Sequence, residues 1–390
     1  SNMLSRKNSS ILDIPYSDKN ISWKEFLSLK KEFNGNIKPF YDKNLVAAII
    51  GTSGTTGTPK GVCLSDKNLT SMALQHILGD LNYKEGDKIL DVLITSIGYG
   101  LSVAIYSSCC GVESILIPKI TSSILPYFEK YHPDHFVGGP IHYKSIRNEV
   151  ENNNYKLPYG KNMVSGGASL NKNDERFLNK VNEGYVENGY NDKIFVRQGL
   201  GATECGGALS YAKYGTYKFG GVGIPLPFNT VSIFTPGTDD ELKYNEEGEI
   251  CLTGPTVMLR YLDNEEETKK VLKQHQDGKI WLHTGDIGYM DEDGEIYIKD
   301  RIKNIFMRAG FNVHPSKVQD FICSLLNVSS CRVLGVDNDR EVVVPVAFVV
   351  LKNKKIEEET INIIFESCDK NLEEPSVPYE IIIMDELPYN

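Results

Sequence analysis

Two apolar rhythms divide the chain. Up to about residue 210, short unbroken apolar runs recur: "LVAAII" (45–50), "KILDVLI" (88–94), "SILIPK" (114–119), "HFVGGP" (135–140), "NMVSGGASL" (162–170) and "KIFVRQGLGATECGG" (193–207). Such runs read as buried strands, several of them ending in glycine loops. Between them lie stretches with helical character: "LSDKNLTSMALQHIL" (64–78) with Ser65 or Asp66 as its cap, "SVAIYSSCC" (102–110), "SSILPYFEKYH" (122–132) and residues 174–183. Strands alternating with helices predict an α/β sheet whose loops lie at the strand ends, where ligands sit. A short amphipathic helix is predicted earlier, in "ISWKEFLSLKKEF" (21–33).

From about residue 220 the rhythm turns to β. "GVGIPLPFNTVSIF", "GEICLTGP" and "GEIYIKDR" read as short strands with glycine turns, a barrel-like subdomain over about 220–299. Past 300 it is mixed again: helices in 314–326 and 358–372, strands in 329–337, 344–352 and 379–388. The charged "KDRIKN" (299–304) marks a boundary near Asp300–Arg301. The predicted architecture is α/β: a large N-terminal domain (4–299) of α/β sheet layers with a β-rich subdomain, and a small α+β C-terminal domain (301–390).

Composition narrows this reading. A length of 390 residues exceeds what one core usually spans. The net charge of −10, with no Lys/Arg block, argues against nucleic-acid binding while leaving room for a local basic pocket. Eight cysteines without a C-x-x-C pair read as reduced core thiols of a cytoplasmic protein, not as a zinc site. No apolar run reaches the ~18 residues of a membrane span.

The candidate chemistry starts at "GTSGTTGTPKG" (51–61). Gly51, Gly54, Gly57 and Gly61 allow close backbone approach, Thr52, Ser53, Thr55, Thr56 and Thr58 add hydroxyls, and Lys60 adds a cation. Donors without acids suit phosphate oxygens. The order Gly57-Thr58-Pro59-Lys60 is not the Walker pattern. A strand before it and a helix after it argue against a linker.

This segment resembles the phosphate-binding signature of the AMP-forming adenylating enzymes: acyl-CoA synthetases, adenylation domains and luciferases. Three further stretches resemble that family's motifs in order: "SGGASL" (165–170), "GLGATE" (199–204) and "WLHTGDIGYMDEDGEIYIKDRIKNIFMRAGFNVHP" (281–315). The resemblance implies an ATP-dependent acid–thiol ligase, most like an acyl- or aryl-CoA ligase, which forms an acyl-adenylate and passes it to CoA. It implies Thr52, Ser53, Gly54, Thr55, Thr56, Gly57 and Lys60 at the β- and γ-phosphates, and Thr203 at the α-phosphate. Glu204 would hold Mg²⁺ and Asp286 the ribose hydroxyls, with Arg301 at ribose or phosphate. Gly166, Gly167 and Ala168, with Gly199, Leu200 and Gly201, would frame adenine. Asp300 falls at the family's hinge, and 308–315 would face the thiol donor.

Departures qualify that picture. Leu200 stands where the family has an aromatic that stacks on adenine, and Ile97-Gly98 in "ITSIGYGL" (94–101) replace a bulky gate to the acid pocket. The absence of Asp from 94–101 counts against an amino-acid substrate. Only fifty residues precede the phosphate loop, and the chain stops just short of the family's Gly-Lys loop with its adenylation lysine. The expectation is a truncated chain that adenylates poorly as written. Loading of a carrier-protein phosphopantetheine, and a degenerate nucleotide-binding relative, are the alternatives. Cys205 reads as a bystander because the mechanism needs no protein nucleophile. His132 and His135 read as packing or surface residues, and His283 as packed under the ribose turn. Gly138–Pro140 are expected on the acid pocket wall.

Overall fold

The computed structural model describes residues 42–52, 60–79, 81–117, 123–153, 161–187, 195–338 and 342–388. The helix expected at 21–33 and the loop residues Ser53, Gly54, Thr55, Thr56 and Gly57 lie outside them.

Strand β1 (Val46–Gly51) pairs antiparallel with β2 (Gly61–Ser65), Gly51 opposite Gly61. The glycine- and threonine-rich segment therefore joins two strands. The helix expected directly after it comes one strand later. β2 escaped the sequence reading because its apolar core, Val62-Cys63-Leu64, is three residues long, although all three are fully buried. β1 is also not the buried strand its apolar run suggested. Its residues alternate in exposure and Ile49 is 50% exposed. Helix α1 (Asp66–Leu78) begins at the expected cap. The Ser65 hydroxyl accepts the Asn68 N–H (3.3 Å), and the Asn68 side chain accepts the Ser65 N–H (2.7 Å).

The main sheet follows the expected alternation with one helix more, α4: β3 (Lys88–Asp91), α2 (Gly98–Cys109), β4 (Glu113–Leu116), α3 (Leu125–Tyr131), β5 (His135–Gly138), α4 (Pro140–Asn153), β6 (Asn162–Ser165), α5 (Lys172–Glu187) and β7 (Val196–Leu200). β8 (Ser210–Tyr211) and β9 (Ile224–Pro225) complete it. The order is β4-β3-β5-β6-β7-β8-β9, parallel through β7 and antiparallel beyond. Leu90, Phe136, Met163 and Val196 from the parallel strands pack with Tyr143, Ile146 and Leu178 from the covering helices in one apolar core.

The β-rich part is a forked antiparallel sheet. β10 (Thr230–Phe234), β11 (Gly248–Thr253), β12 (Arg260–Tyr261), α6 (Glu265–Val271), β13 (Leu272–Gln274), β14 (Ile280–Met290) and β15 (Ile296–Arg301) follow in chain order. β11 lies on one side of the eleven-residue β14, while β13 and β15 share the other. β12 leaves this sheet to pair with β2. Beyond Arg301, the hairpin β16 (Phe306–Arg308) and β17 (Phe311–Val313) leads to α7 (Pro315–Cys323), β18 (Val328–Asn338), β19 (Val342–Leu351), α8 (Glu357–Asn371) and β20 (Glu380–Ile383). β18, β19 and β20 form a sheet whose Val333, Ala347 and Val349 pack on Val318 and Ile322 of α7 and Ile364 of α8.

All eight cysteines are free thiols. Cys63, Cys205, Cys251, Cys331 and Cys368 are buried as expected. Cys109 is exposed, at the last turn of α2. His135 is a buried core residue, as read, with Nε2 2.8 Å from Asp87 Oδ2.

Candidate active site

A cleft of about 390 Å³ opens at the carboxyl ends of β6 and β7 and the first turn of α2. Gly51, Thr52 and Lys60 from the mouth of the β1–β2 hairpin also line it, as do Tyr261, Thr284 and Arg301 from the β-rich part. This is where an open α/β sheet places ligands.

After β7 the chain turns back sharply. Thr203, Glu204 and Cys205 form a single 3-10 turn, closed by the Gly207 N–H on the Ala202 carbonyl (2.9 Å). A Cβ on Gly201 would fall 1.8 Å from the Gly207 carbonyl oxygen, so only glycine fits there. The Cys205 thiol faces inward, donates to the Ala202 carbonyl (3.2 Å) and is pushed up to about 12 by burial. It is a structural thiol, as expected.

The turn presents Thr203 and Glu204 to the cleft. Glu204 Oε1 accepts the Tyr261 hydroxyl at 2.7 Å. Burial, and then the carboxylate beside it, raise the Tyr261 hydroxyl above its usual range, so it stays a donor. Lys60 stands over the Tyr261 ring at 4.9 Å and pairs with Glu267 of α6. Glu267 is held down at about 2, first by Lys270 and then by Lys60. A cation and a carboxylate thus face the cleft on either side of one tyrosine.

The β14–β15 register sets Asp286 opposite Arg301, and Arg301 Nε donates to Asp286 Oδ1 at 2.7 Å. Asp286 is 6% exposed, and burial raises its carboxyl against the pull of Arg301. The turn before it is held from behind. Glu249 accepts the Gly285 N–H on Oε1 (3.1 Å) and approaches His283 Nδ1 with Oε2 (2.8 Å). Glu249, Cys251 and His283 bring ligand atoms within 4.8 Å of one another. Glu249 is engaged with the backbone, however, and burial keeps the Cys251 thiol protonated, so the group reads as support for the turn.

Of the residues predicted from sequence, Thr52, Lys60, Gly166, Gly167, Gly199, Leu200, Gly201, Thr203, Glu204 and Arg301 line this cleft. Asp286 joins it through Arg301. Ala168 and Gly138–Pro140 are not among the lining residues, and α4 begins at Pro140 instead. Tyr99, Tyr211 and Tyr261 escape the sequence reading. Tyr99 lies within the segment expected to shape the acid pocket, whereas nothing in the sequence marks the other two.

Comparison with known proteins agrees with this geometry. The AMP-binding enzyme family model matches residues 6–262, and the AMP-binding enzyme C-terminal domain model matches 317–390. The chain is 34% identical over 321 residues to a long-chain-fatty-acid–CoA ligase of Bacillus subtilis, covering 81% of this chain and 54% of the relative. It is 34% identical over 317 residues to a probable 4-coumarate–CoA ligase 2 of Dictyostelium discoideum, covering 80% and 55%. It therefore spans about half the length of these curated relatives. Among solved structures it resembles ATP-bound MatB from Rhodopseudomonas palustris (TM-score 0.78, 27% identity, 90% of this chain and 66% of that one). It also resembles o-succinylbenzoate CoA synthetase (MenE) from Bacillus subtilis in complex with its acyl-adenylate intermediate (0.73, 25%, 93% and 71%). With two-thirds of its length matched by one family model and the cleft built from that family's motifs, the chain belongs to the AMP-binding enzymes.

Proposed function

We propose that this chain carries the active site of an ATP-dependent, AMP-forming acid–thiol ligase. The observation that carries this reading is the Thr203–Glu204 turn, facing Lys60 and Arg301 across one cleft. The carboxylate of a small acid attacks the α-phosphorus of ATP, forming the acyl-adenylate and releasing pyrophosphate. The thiol of CoA then attacks the acyl carbon, and AMP leaves. Such transfers need positioning and charge neutralisation rather than a protein nucleophile.

The chain supplies both. Lys60 and Thr52 meet the β- and γ-phosphates as they leave. The Thr203 hydroxyl donates to an α-phosphate oxygen where charge develops. Asp286 accepts the ribose hydroxyls, and Arg301 offsets part of what burial does to its carboxyl. Leu200 packs on adenine with the glycines Gly166, Gly167, Gly199 and Gly201, giving up the ring stacking an aromatic would add. Glu204 offers carboxylate oxygen, the hard ligand that Mg²⁺ takes, and its hydrogen bond from Tyr261 leaves lone pairs toward the cleft. When bound there, Mg²⁺ neutralises phosphate charge.

The test is pyrophosphate exchange dependent on acid and ATP, followed by thioester analysis. Glu204→Gln and Thr203→Ala are each expected to slow exchange about a hundredfold. Exchange at the parental rate in both would remove the reading. Thioester formed only on a carrier protein, and none on CoA, would replace the acceptor.

A further inference from the structure

Lys60, the cation on the phosphate side of the cleft, is engaged by a carboxylate of the chain itself. Its ammonium pairs with Glu267 Oε2 and stands 4.9 Å from the centre of the Tyr261 ring. The second oxygen of that carboxylate, Oε1, accepts a hydrogen bond from Lys270 of the same helix at 2.7 Å. Lys60, Tyr261 and Val271 line the cleft, and Val271 follows Glu267 by one turn on the same face of α6. Glu267 is not among the lining residues, so its charge meets the cleft through Lys60.

The two side chains do not meet by chance. Asn264 Oδ1 caps α6 by accepting the Glu267 N–H (3.1 Å), and Thr268 Oγ1 accepts the Tyr261 N–H (3.0 Å). One residue on, the Leu262 N–H donates to the carbonyl of Gly61 (2.7 Å), the neighbour of Lys60. These bonds key the first turn of α6 to the strand that starts beside Lys60.

The balance of charge favours exchange of partners. The side chains of Lys60 and Glu267 are 18% and 27% exposed, and an ion pair in contact with water is weak. A polyphosphate carries several negative charges and more acceptor oxygens, so it attracts the ammonium more strongly than one carboxylate does. Loss of Lys60 does not strand Glu267, because Lys270 stays with it. Lys270 is also the larger influence holding the Glu267 carboxyl at about 2, ahead of Lys60.

We propose that Glu267 competes with the β- and γ-phosphates for Lys60, so that its carboxylate loosens the hold on ATP and eases the departure of pyrophosphate. Glu267 acts through Lys60 and is a positioning residue. The inference rests on reading Lys60 as the phosphate-side cation of the ligase site.

Calorimetry with ATP, inorganic pyrophosphate and AMP, each with Mg²⁺ and without acid, tests it without turnover. Glu267→Gln is expected to bind pyrophosphate and ATP about threefold to tenfold tighter than the parent. AMP lacks those phosphates, and its affinity should stay within about twofold. Lys60→Gln should weaken pyrophosphate binding, and adding Glu267→Gln to it should move that affinity by less than about twofold. Lys270→Gln removes the other partner of Glu267 and should bring no gain. Weaker or unchanged pyrophosphate binding in Glu267→Gln would overturn the proposal. So would the same gain in the Lys60→Gln background, which marks plain repulsion, or the same gain in Lys270→Gln, which marks a loosened helix. Tighter pyrophosphate binding in Glu267→Gln, with no acid supporting exchange in the parent, would sink the ligase reading alone. Acid-dependent exchange with a pyrophosphate affinity unmoved by Glu267→Gln would sink this proposal alone. Failure of ATP, pyrophosphate and AMP to bind any form would remove both.

Discussion

Gly98 opens α2 where a side chain has no space: its Cβ would lie 2.8 Å from Thr203 Cα and 2.9 Å from Thr203 Oγ1. The helix start and the 3-10 turn therefore touch through a glycine, and the position of the Thr203 hydroxyl depends on it. Gly98→Ala is expected to cost about 1–3 kcal/mol as overpacking and to weaken ATP binding by displacing Thr203. Denaturant midpoints at constant m-value and ATP titrations would show both effects. A variant with unchanged stability and affinity would mean that the turn yields freely. In the sequence Gly98 stands out only as the loss of a bulky gate. Thr203, Glu204, Lys60 and Arg301 are legible because they stand in short motifs with fixed spacing. Tyr99, Tyr211 and Tyr261 are not, because tyrosine is as common in cores as in clefts. Only the fold decides which ring turns outward.

Element by element, the pattern worked best where one rhythm had room to repeat. The parallel strands, α1 and the C-terminal β18, β19 and α8 fall close to their expected places. Among the elements the pattern missed, β2, α4 and α6 share a reason. β2 has only three buried apolar residues. α4 buries Tyr143 and Ile146 in the first core cluster, with Val150 packed against it, along a mostly polar sequence. α6 has no fully buried residue: only Val271 packs against the core, beside an Asn264 cap and exposed Glu–Lys pairs. The start of α1 illustrates how an element binds to a distant segment. Asn68 completes the capping box with Ser65, and its Nδ2 donates to the carbonyls of Pro255 and Val257 at 2.8 Å each. Ser65→Ala removes one cap bond and should cost about 1 kcal/mol. Asn68→Ala also strands two backbone carbonyls that lie far off in sequence, and should cost about 2–4 kcal/mol. Urea unfolding of the pair would check the ranking, and equal losses would show that Asn68 acts only as a cap partner.

At the scale of the whole molecule, the parts that meet at the cleft come from distant stretches of chain, and sequence could name them without showing what joins them. Glu175 of α5 is one such joint. It is fully buried, accepts the Gly220 N–H on Oε1 (3.1 Å), and accepts Gln198 Nε2 of β7 on Oε2 (3.2 Å). Gln198 in turn accepts the Leu170 N–H (2.8 Å) after β6. Burial, only partly offset by these bonds, raises the Glu175 carboxyl to about 7. Its folded pKa lies above its unfolded one, so the folded state binds this proton more tightly. The stability it contributes is complete below about pH 4.5 and declines as pH rises to about 7. The decline is at most about 3 kcal/mol, because each tenfold difference in proton affinity between the folded and unfolded states is worth roughly 1.4 kcal/mol. Asp87 and Glu249 are shifted downward by their histidine and lysine partners and act in the opposite sense, at lower pH. Across pH 5 to 7.5 the histidines oppose it, His76 lowered by burial to about 4 and His135, His142 and His275 lowered as well, so the Glu175 effect is read as the difference between variant and parent. Glu175→Gln, whatever its absolute stability, should make the slope of unfolding free energy against pH more positive than the parent's across that window. Unfolding of both proteins measured at half-unit steps would show it, and an unchanged slope in the variant would assign the titration to another group.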